Sequence, residues 1–163
     1  MSNVSLESGK AYLEVLQAGV QTTVQDYPAR ISYWDVGVPP SGPMDNYSFR
    51  LANKLVGNSE EAAGLECTMT APTLRFNRRS VIAITGAPVN ATLDDCPIPL
   101  WQAVTVEAGS VLKMGAATTT GARSYLAIQG GLDVPLYLGS RSTFTLGQFG
   151  GHAGRTLRVG DVL

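Results

Sequence analysis

Glycine and proline interrupt this sequence at short intervals and so limit the length of any regular element. The chain has 18 glycines and nine prolines among 163 residues. Proline breaks helices and glycine weakens them, so long helices are not expected. The segment Gly37–Pro43 alone holds three prolines and two glycines. It predicts a stiff loop that can hold a side chain at a fixed angle to a ligand.

Between these interruptions the apolar residues alternate with polar ones or form short continuous runs, which predicts β-strands. The predicted strands cover residues 12–17, 20–26, 81–85, 104–107, 111–114, 124–129 and 157–159. The turn sequence Ala108-Gly109-Ser110 lies between two of these runs and predicts a hairpin. No internal repeat is present.

One segment has helical spacing. Asp45 is suited to cap a helix, and Gly57 is suited to end it. The residues between them that share one helix face are Ser48, Leu51, Ala52, Leu55 and Val56. The sequence therefore predicts one main helix near residues 45–56 in an all-β barrel or sandwich.

The charge balance excludes several classes of partner. Twelve Lys plus Arg against thirteen Asp plus Glu give a net charge of -1, without the basic excess of a nucleic-acid binder. No run approaches the roughly 18 apolar residues of a membrane span, so no membrane association is expected. The first twenty residues lack a signal-peptide pattern, which favours a cytoplasmic location. Residues 1–11 are interpreted as a polar lead-in, and residues 12–163 as the folded domain.

Few side chains are available for metal binding or redox chemistry. The single histidine, His152, cannot build a site of two or three imidazoles, so no metal site is expected. Cys67 and Cys96 lack CxxC spacing. They can form one disulfide, but a pair of buried thiols in a reducing compartment is favoured.

Three loops nonetheless concentrate polar residues. They are Gln25–Arg30, Gly37–Asp45 and Gly139–Thr143. In the third loop, a glycine and several hydroxyl groups surround Arg141. This pattern is typical of a binding site for an oxyanion or a carboxylate. The alternative is a turn whose arginine pairs with a nearby carboxylate. These residues by themselves indicate a β-rich domain with the potential to bind a small ligand.

The same loops belong to longer motifs that resemble a known family, one module of certain biotin-dependent carboxyltransferases. The motifs are TTVQDYPAR (22–30), YWDVGVPPSGPMDNYSFRLANKLVGN (33–58), LECTMTAPTLRF (65–76), ITGAPVN (84–90), RSYLAIQGGLDVP (123–135) and LGSRSTFTLGQFGGHAGRTLRVGDVL (138–163). The family, also called allophanate hydrolase subunit 2, is known from urea carboxylase, a part of urea amidolyase, and from the C-type component of bacterial 5-oxoprolinase. Tyr33-Trp34-Asp35 and the run Phe144–His152 resemble the urea carboxylase type more closely.

The resemblance implies a cyclophilin-like β-barrel fold and a carboxyl transfer from carboxybiotin to urea, giving allophanate. It implies biotin on a separate carrier domain, ATP and Mg²⁺ used by a separate biotin carboxylase domain, and a companion carboxyltransferase module. The cofactor then supplies the reactive group, and the protein positions the substrate and the cofactor, excludes water from them and forms hydrogen bonds with them. A role as the C-type component of an ATP-dependent 5-oxoprolinase and a non-catalytic binding or regulatory module remain the alternatives.

Four residues at the motif positions are candidates to line or support a pocket for biotin and urea: Asp26, Ser41, Asp45 and Arg141. Asp26 or Asp45 can accept from urea N–H groups, Ser41 can donate or accept, and Arg141 can meet the transferred carboxylate through two N–H groups. In the rival interpretation Asp45 only caps its helix and Arg141 only braces a turn. The resemblance assigns no catalytic residue within this sequence.

Two departures from the family limit these expectations. The family module is longer than this chain, which therefore resembles the N-terminal part of a carboxyltransferase domain, as an isolated or a naturally short chain. Its lysines, Lys10, Lys54 and Lys113, do not follow a methionine, so the biotin-accepting Met-Lys motif is absent from this sequence. We expect the chain to be inactive by itself and to expose apolar surface that favours a homodimer.

Overall fold

The computed structural model describes residues 12–163, so the predicted lead-in at residues 1–11 lies outside the described residues. The described part forms ten strands, one α-helix and one 3-10 helix. The strands are β1 Leu13–Gln17, β2 Gln21–Gln25, β3 Gly64–Thr68, β4 Thr73–Phe76, β5 Ser80–Gly86, β6 Thr92–Leu93, β7 Cys96–Pro97, β8 Ala103–Val106, β9 Val111–Lys113 and β10 Arg123–Ile128. The α-helix α1 spans Asn46–Leu55, and the 3-10 helix spans Trp34–Val36.

The strands form two antiparallel sheets of five strands each. One sheet has the order β1-β4-β9-β6-β7, and the other has the order β2-β3-β10-β5-β8. Apolar side chains from both sheets form one shared core, with Leu74 and Leu112 from the first sheet and Leu65 and Leu126 from the second. All four are 0% exposed, so the core lies between the sheets.

The predicted β-barrel is corrected to two open sheets, because no strand ladder joins them within residues 12–163. Later segments of the chain cover exposed edges instead. The amide of Val15 in β1 donates to the carbonyl of Asp161, and the amide of Thr143 donates to the carbonyl of Val24 in β2, each at 2.9 Å. These bonds satisfy polar groups of the edge strands without closure. The mostly β architecture with a single α-helix is confirmed, and the cyclophilin-like fold stays a prediction.

Helix α1 confirms the predicted helix at residues 45–56. Asp45 is the N-cap, Val56 is the C-cap, and Gly57 follows with a φ of 77°. The buried side chains Phe49 and Ala52 face the second sheet, where Ala52 packs with Ala83 of β5 and Ala127 of β10. The helix therefore covers the outer face of that sheet.

Two of the strand predictions are wrong. Strands β8 and β9 do not form a hairpin: β8 pairs with β5 and β9 pairs with β4, in different sheets. Val106 and Leu112 are both 0% exposed in the core between the sheets, so the turn at residues 108–110 carries the chain from one inner face to the other. Residues 157–159 form no strand; the nearby pairing with β1 is an isolated bridge between Glu14 and Val162.

The cysteines are free, and only Cys67 is buried, whereas Cys96 is exposed. The expectation of two buried thiols is therefore half correct. Among residues 12–163, no helix combines the length and apolar character needed to cross a membrane.

Candidate functional site

Asp26, which directly follows β2, binds the Gly139–Thr143 loop. Its carboxylate is 7% exposed and accepts hydrogen bonds from Ser140 Oγ, Ser142 Oγ and the backbone amide of Arg141, each at 2.6 Å. Its own amide donates to Ser142 Oγ at 3.0 Å. Asp26 therefore supports the arginine-bearing loop from inside the protein, and its carboxylate does not face solvent.

The Gly37–Asp45 loop lies against the first loop. The amide of Arg30 donates to the carbonyl of Pro40 at 2.9 Å, and the amide of Gly42 donates to Gln25 Oε1 at 2.9 Å. Gly42 has a φ of 85°, and a Cβ at this position would lie 2.6 Å from the Ala29 Cβ. Only glycine fits this close approach.

Ser41 lies in the middle of this contact. Its backbone has a φ of 61°, and its hydroxyl oxygen is buried without a hydrogen-bond partner in the described part of the chain. A buried hydroxyl normally has a partner. Among the four predicted site residues, Ser41 is therefore the one whose buried hydroxyl group makes no hydrogen bond within the described residues.

Asp45 caps helix α1, as the rival interpretation expects. Its carboxylate accepts from the amide of Ser48 at 3.0 Å and from the Ser48 hydroxyl. Burial raises the pKa of Asp45, but the bonds from Ser48 outweigh this and hold the pKa below its ordinary value. Asp45 is an exposed residue, and its bonds to Ser48 are only partly buried, so the carboxylate is accessible beside the helix.

A buried tyrosine fixes the backbone that leads into Asp45. Tyr125 Oη accepts from the amide of Asp45 at 2.8 Å and donates to Glu66 Oε2 at 3.0 Å. Glu66 Oε2 also accepts from the amide of Met44 at 2.6 Å. Burial and the charge of Glu66 raise the pKa of Tyr125, so its hydroxyl stays protonated. Arg123 lies 3.6 Å from Glu66 Oε1 and completes the cluster.

The side chains of Asp45 and Arg141 line separate grooves. Asp45 lies in a shallow groove of about 540 Å³ that includes Ser48 and Arg123. Arg141 lies in another groove of about 260 Å³ that includes Ala62 and Asp133. The structure therefore joins the three loops through hydrogen bonds but does not bring all four predicted residues into one cavity.

Arg141 is partly buried, and its Nε donates to the carbonyl of Val134 at 3.0 Å. Its terminal nitrogens make no hydrogen bond within residues 12–163. This leaves the four N–H groups of the two terminal nitrogens, which lie in one plane, for the oxygens of a ligand. No group of three His, Cys, Asp or Glu side chains in the described range lies close enough to hold a metal ion.

Sequence reasoning missed two members of the site, Arg30 and Tyr125. Arg30 is 1% exposed and donates to the carbonyls of Tyr137 at 3.2 Å and Ser142 at 2.9 Å. Its partners lie more than a hundred residues away along the chain, so local spacing gives no signal. The one available signal is a charged residue at the end of the dense Gln25–Arg30 loop.

A family model described as carboxyltransferase domain, subdomain A and B, matches residues 36–163. Urea amidolyase of Saccharomyces cerevisiae is 54% identical over 151 residues, which are 93% of this chain and 8% of that protein. The C-type component of 5-oxoprolinase from Escherichia coli is 39% identical over 151 residues, which are 93% of this chain and 48% of that protein.

The crystal structure of Kluyveromyces lactis urea carboxylase matches this fold with a TM-score of 0.91 and 52% sequence identity. The match covers 93% of this chain and 13% of that one. The chain thus spans a small part of the urea amidolyases and about half of the oxoprolinase component. Sequence and fold agree over nearly the whole described range, and the chain belongs to the carboxyltransferase domain family of subdomains A and B.

Proposed function

We propose that this chain is part of the carboxyltransferase domain of a biotin-dependent urea carboxylase, in which a carboxyl group passes from carboxybiotin to urea to give allophanate. The observation that carries the proposal is the joining of the three candidate loops by hydrogen bonds. Asp26 accepts from the amide of Arg141, and Gln25 accepts from the amide of Gly42. The identity of 54% to urea amidolyase, against 39% to the oxoprolinase component, favours urea as the acceptor.

The unused polar groups suit ligands that carry carbonyl or carboxylate oxygens. The buried Ser41 hydroxyl has no partner in the described residues and can donate to an oxygen of biotin or of its carboxyl group. When bound, carboxybiotin supplies the activated carboxyl group. Ser41 would orient an oxygen of that group once its hydroxyl, which is buried in this structure, is exposed to the ligand.

The two charged candidates have different partners. The Asp45 carboxylate bonds to Ser48, and its remaining lone pairs can accept from urea N–H groups. Arg141 binds the transferred carboxylate through its terminal nitrogens. Because Asp45 and Arg141 line separate grooves, the proposal requires a companion carboxyltransferase module to complete the pocket.

The remaining steps belong to other domains. A biotin carboxylase domain uses ATP and Mg²⁺ to load biotin, and a carrier domain brings it to this site. The chain by itself is then inactive, because it positions substrates but does not load the cofactor. A homodimer is a further proposed arrangement.

A role as the C-type component of 5-oxoprolinase is the second candidate. It is supported by the 39% identity to the Escherichia coli protein and by the 48% of that protein that this chain covers, against 8% of urea amidolyase. In that case 5-oxoproline, and not urea, is the small molecule that the assembled enzyme processes.

The test measures ATP hydrolysis by the enzyme assembled from this chain and its companion domains. Urea, 5-oxoproline or neither is added, and the assembly without this chain is the control. We expect stimulation by urea that disappears in the control, with allophanate as the product. Stimulation by 5-oxoproline alone contradicts the proposal and supports the second candidate, and no stimulation by either supports a binding module.

A further inference from the structure

The segment Tyr137–Ser142 is held by hydrogen bonds to one acidic residue, Asp26, and one basic residue, Arg30. The carboxylate of Asp26 accepts hydrogen bonds from three donors of the segment, the Ser140 hydroxyl, the Arg141 amide and the Ser142 hydroxyl. Asp26 is 7% exposed and Ser140 and Ser142 are 0% exposed. Water therefore does not compete for these bonds, and the positions of the donors are fixed.

The acceptors of the same segment bind Arg30. Its Nε donates to the carbonyl of Tyr137, and its Nη2 donates to the carbonyl of Ser142. The guanidinium carbon lies 4.9 Å from the centre of the Phe149 ring. Gly150 allows this approach, since a Cβ there would lie 2.8 Å from Arg30 Nη2. Arg30 and Asp26, four residues apart, hold one segment from two sides.

The charge of Arg30 is withdrawn from water in the fold, since the residue is 1% exposed. Within residues 12–163 no carboxylate lies within ion-pair distance of its guanidinium, and its buried Nη1 has no hydrogen-bond partner. Burial lowers the pKa of Arg30, and the charge of Asp26 opposes this shift. An apolar side chain of similar volume would remove the buried charge, but it would leave the carbonyls of Tyr137 and Ser142 without this donor. The two hydrogen bonds from one guanidinium therefore fix the carbonyls of Tyr137 and Ser142 relative to each other.

The segment held in this way carries Arg141. The Arg141 amide is fixed by Asp26, and the carbonyl of the next residue, Ser142, is fixed by Arg30. The side chain then leaves this fixed backbone and reaches the carbonyl of Val134. Small shifts of the loop thus move the guanidinium directly.

We propose that Asp26 and Arg30 form a positioning pair that sets the backbone of Arg141 for carboxyl transfer, an inference that rests on the proposed function. A misplacement of a binding group by about 1 Å can lower a rate about a hundredfold. The backbone amide of Arg30 also donates to the carbonyl of Pro40, so the backbone of Arg30 links the loop that carries Ser41 to the segment that carries Arg141.

The first test compares Arg30→Lys, Arg30→Met and Asp26→Asn in the assembled enzyme. Lysine keeps the positive charge but lacks the planar pair of donors that binds the two carbonyls. Methionine removes the charge as well as both hydrogen bonds. We expect the urea-dependent kcat to fall about tenfold for Arg30→Lys and about a hundredfold for Arg30→Met. KM for urea changes by less than about twofold, and biotin carboxylation is unchanged, because the pair does not bind substrate.

The matched control is Arg155→Lys. Arg155 pairs with Asp161 in the C-terminal segment, outside the three candidate loops, and its bonds are 2.7 and 2.8 Å long. This variant lowers the melting temperature but keeps the urea-dependent kcat. A loss of kcat that follows melting temperature across all four variants overturns the proposal.

The second test is the double variant Arg30→Lys with Arg141→Ala. If the pair acts through Arg141, the double variant has the kcat of Arg141→Ala alone, and additive losses overturn the proposal. If Arg141→Ala by itself keeps full urea-dependent activity, the role of Arg141 in the proposed function fails instead.

Hydrogen exchange supplies a readout that does not depend on catalysis. We expect the Arg141 amide to exchange faster in Arg30→Lys and Asp26→Asn than in Arg155→Lys. Equal exchange in all variants contradicts the positioning role.

Discussion

Arg141 offers the sharpest prediction at the scale of single residues. Arg141→Ala removes the two terminal nitrogens, which have no partner among the described residues, and one hydrogen bond to the carbonyl of Val134. Under the proposed function, we expect urea-dependent turnover of the assembled enzyme to fall about a hundredfold, in the range typical for loss of one preorganised donor. The melting temperature changes little, because the side chain is only partly buried and makes a single hydrogen bond.

Biotin carboxylation is measured in parallel and stays unchanged. Arg158→Ala serves as the control, since Arg158 is an exposed arginine of the C-terminal segment. If turnover and melting temperature fall together in Arg141→Ala, the arginine only braces its turn, as the rival interpretation holds.

Asp45 and Arg30 illustrate what sequence can predict about single residues. The capping of α1 by Asp45 depends on Ser48, three residues away, so the local pattern is sufficient. Arg30 depends on carbonyls 107 and 112 residues away. The position of such acceptors follows from the tertiary fold, and no spacing rule in the sequence contains it.

The same distinction holds for elements. Helix α1 is predictable because its period and caps are local. The turn at residues 108–110 resembles a hairpin in sequence because alternation marks a buried face without saying which sheet supplies it. The three loops are identified by composition, but their mutual hydrogen bonds appear only in the fold.

The C-terminal segment gives a pH-dependent prediction at this scale. Two hydrogen bonds from Arg155 lower the pKa of Asp161 from 3.8 to about 2. Burial opposes this shift, whereas the Arg158 amide and the electrostatic interaction with His152 add to it. Because the pKa is lowered in the folded state, this stabilisation is present above pH 4 and is lost as the pH falls towards 2. The lowered pKa contributes about 2 kcal/mol to the unfolding free energy above pH 4.

The measurement compares the unfolding free energy of the unmodified chain and of Asp161→Asn as a function of pH. The difference is expected to be largest above pH 4 and to shrink towards pH 2. A difference that is constant across this range refutes the role of the Asp161 charge.

For the whole molecule, the core between the sheets predicts unequal thiols. Cys67 is 1% exposed in that core, and burial raises the pKa of its thiol to about 12. Cys96 is exposed on β7. A chromogenic disulfide reagent should therefore titrate one thiol per native chain and two after denaturation. In Cys96→Ser the fast reaction disappears; a fast reaction that persists places Cys67 at the surface.

The distribution of exposed apolar side chains leads to a last prediction for the whole molecule. The 3-10 helix has no buried residue, and Trp34 and Val36 are 70% and 69% exposed. Ile31, just before it, is 61% exposed. Apolar side chains this close together in the sequence favour contact with another surface, so weak self-association is expected. Sedimentation velocity over increasing concentration measures this association.

Trp34→Ser should reduce the association. Val159→Ser changes a 69% exposed position of the C-terminal segment and should leave the association unchanged. A monomer at every concentration, or an equal effect of both variants, contradicts an interface at the 3-10 helix.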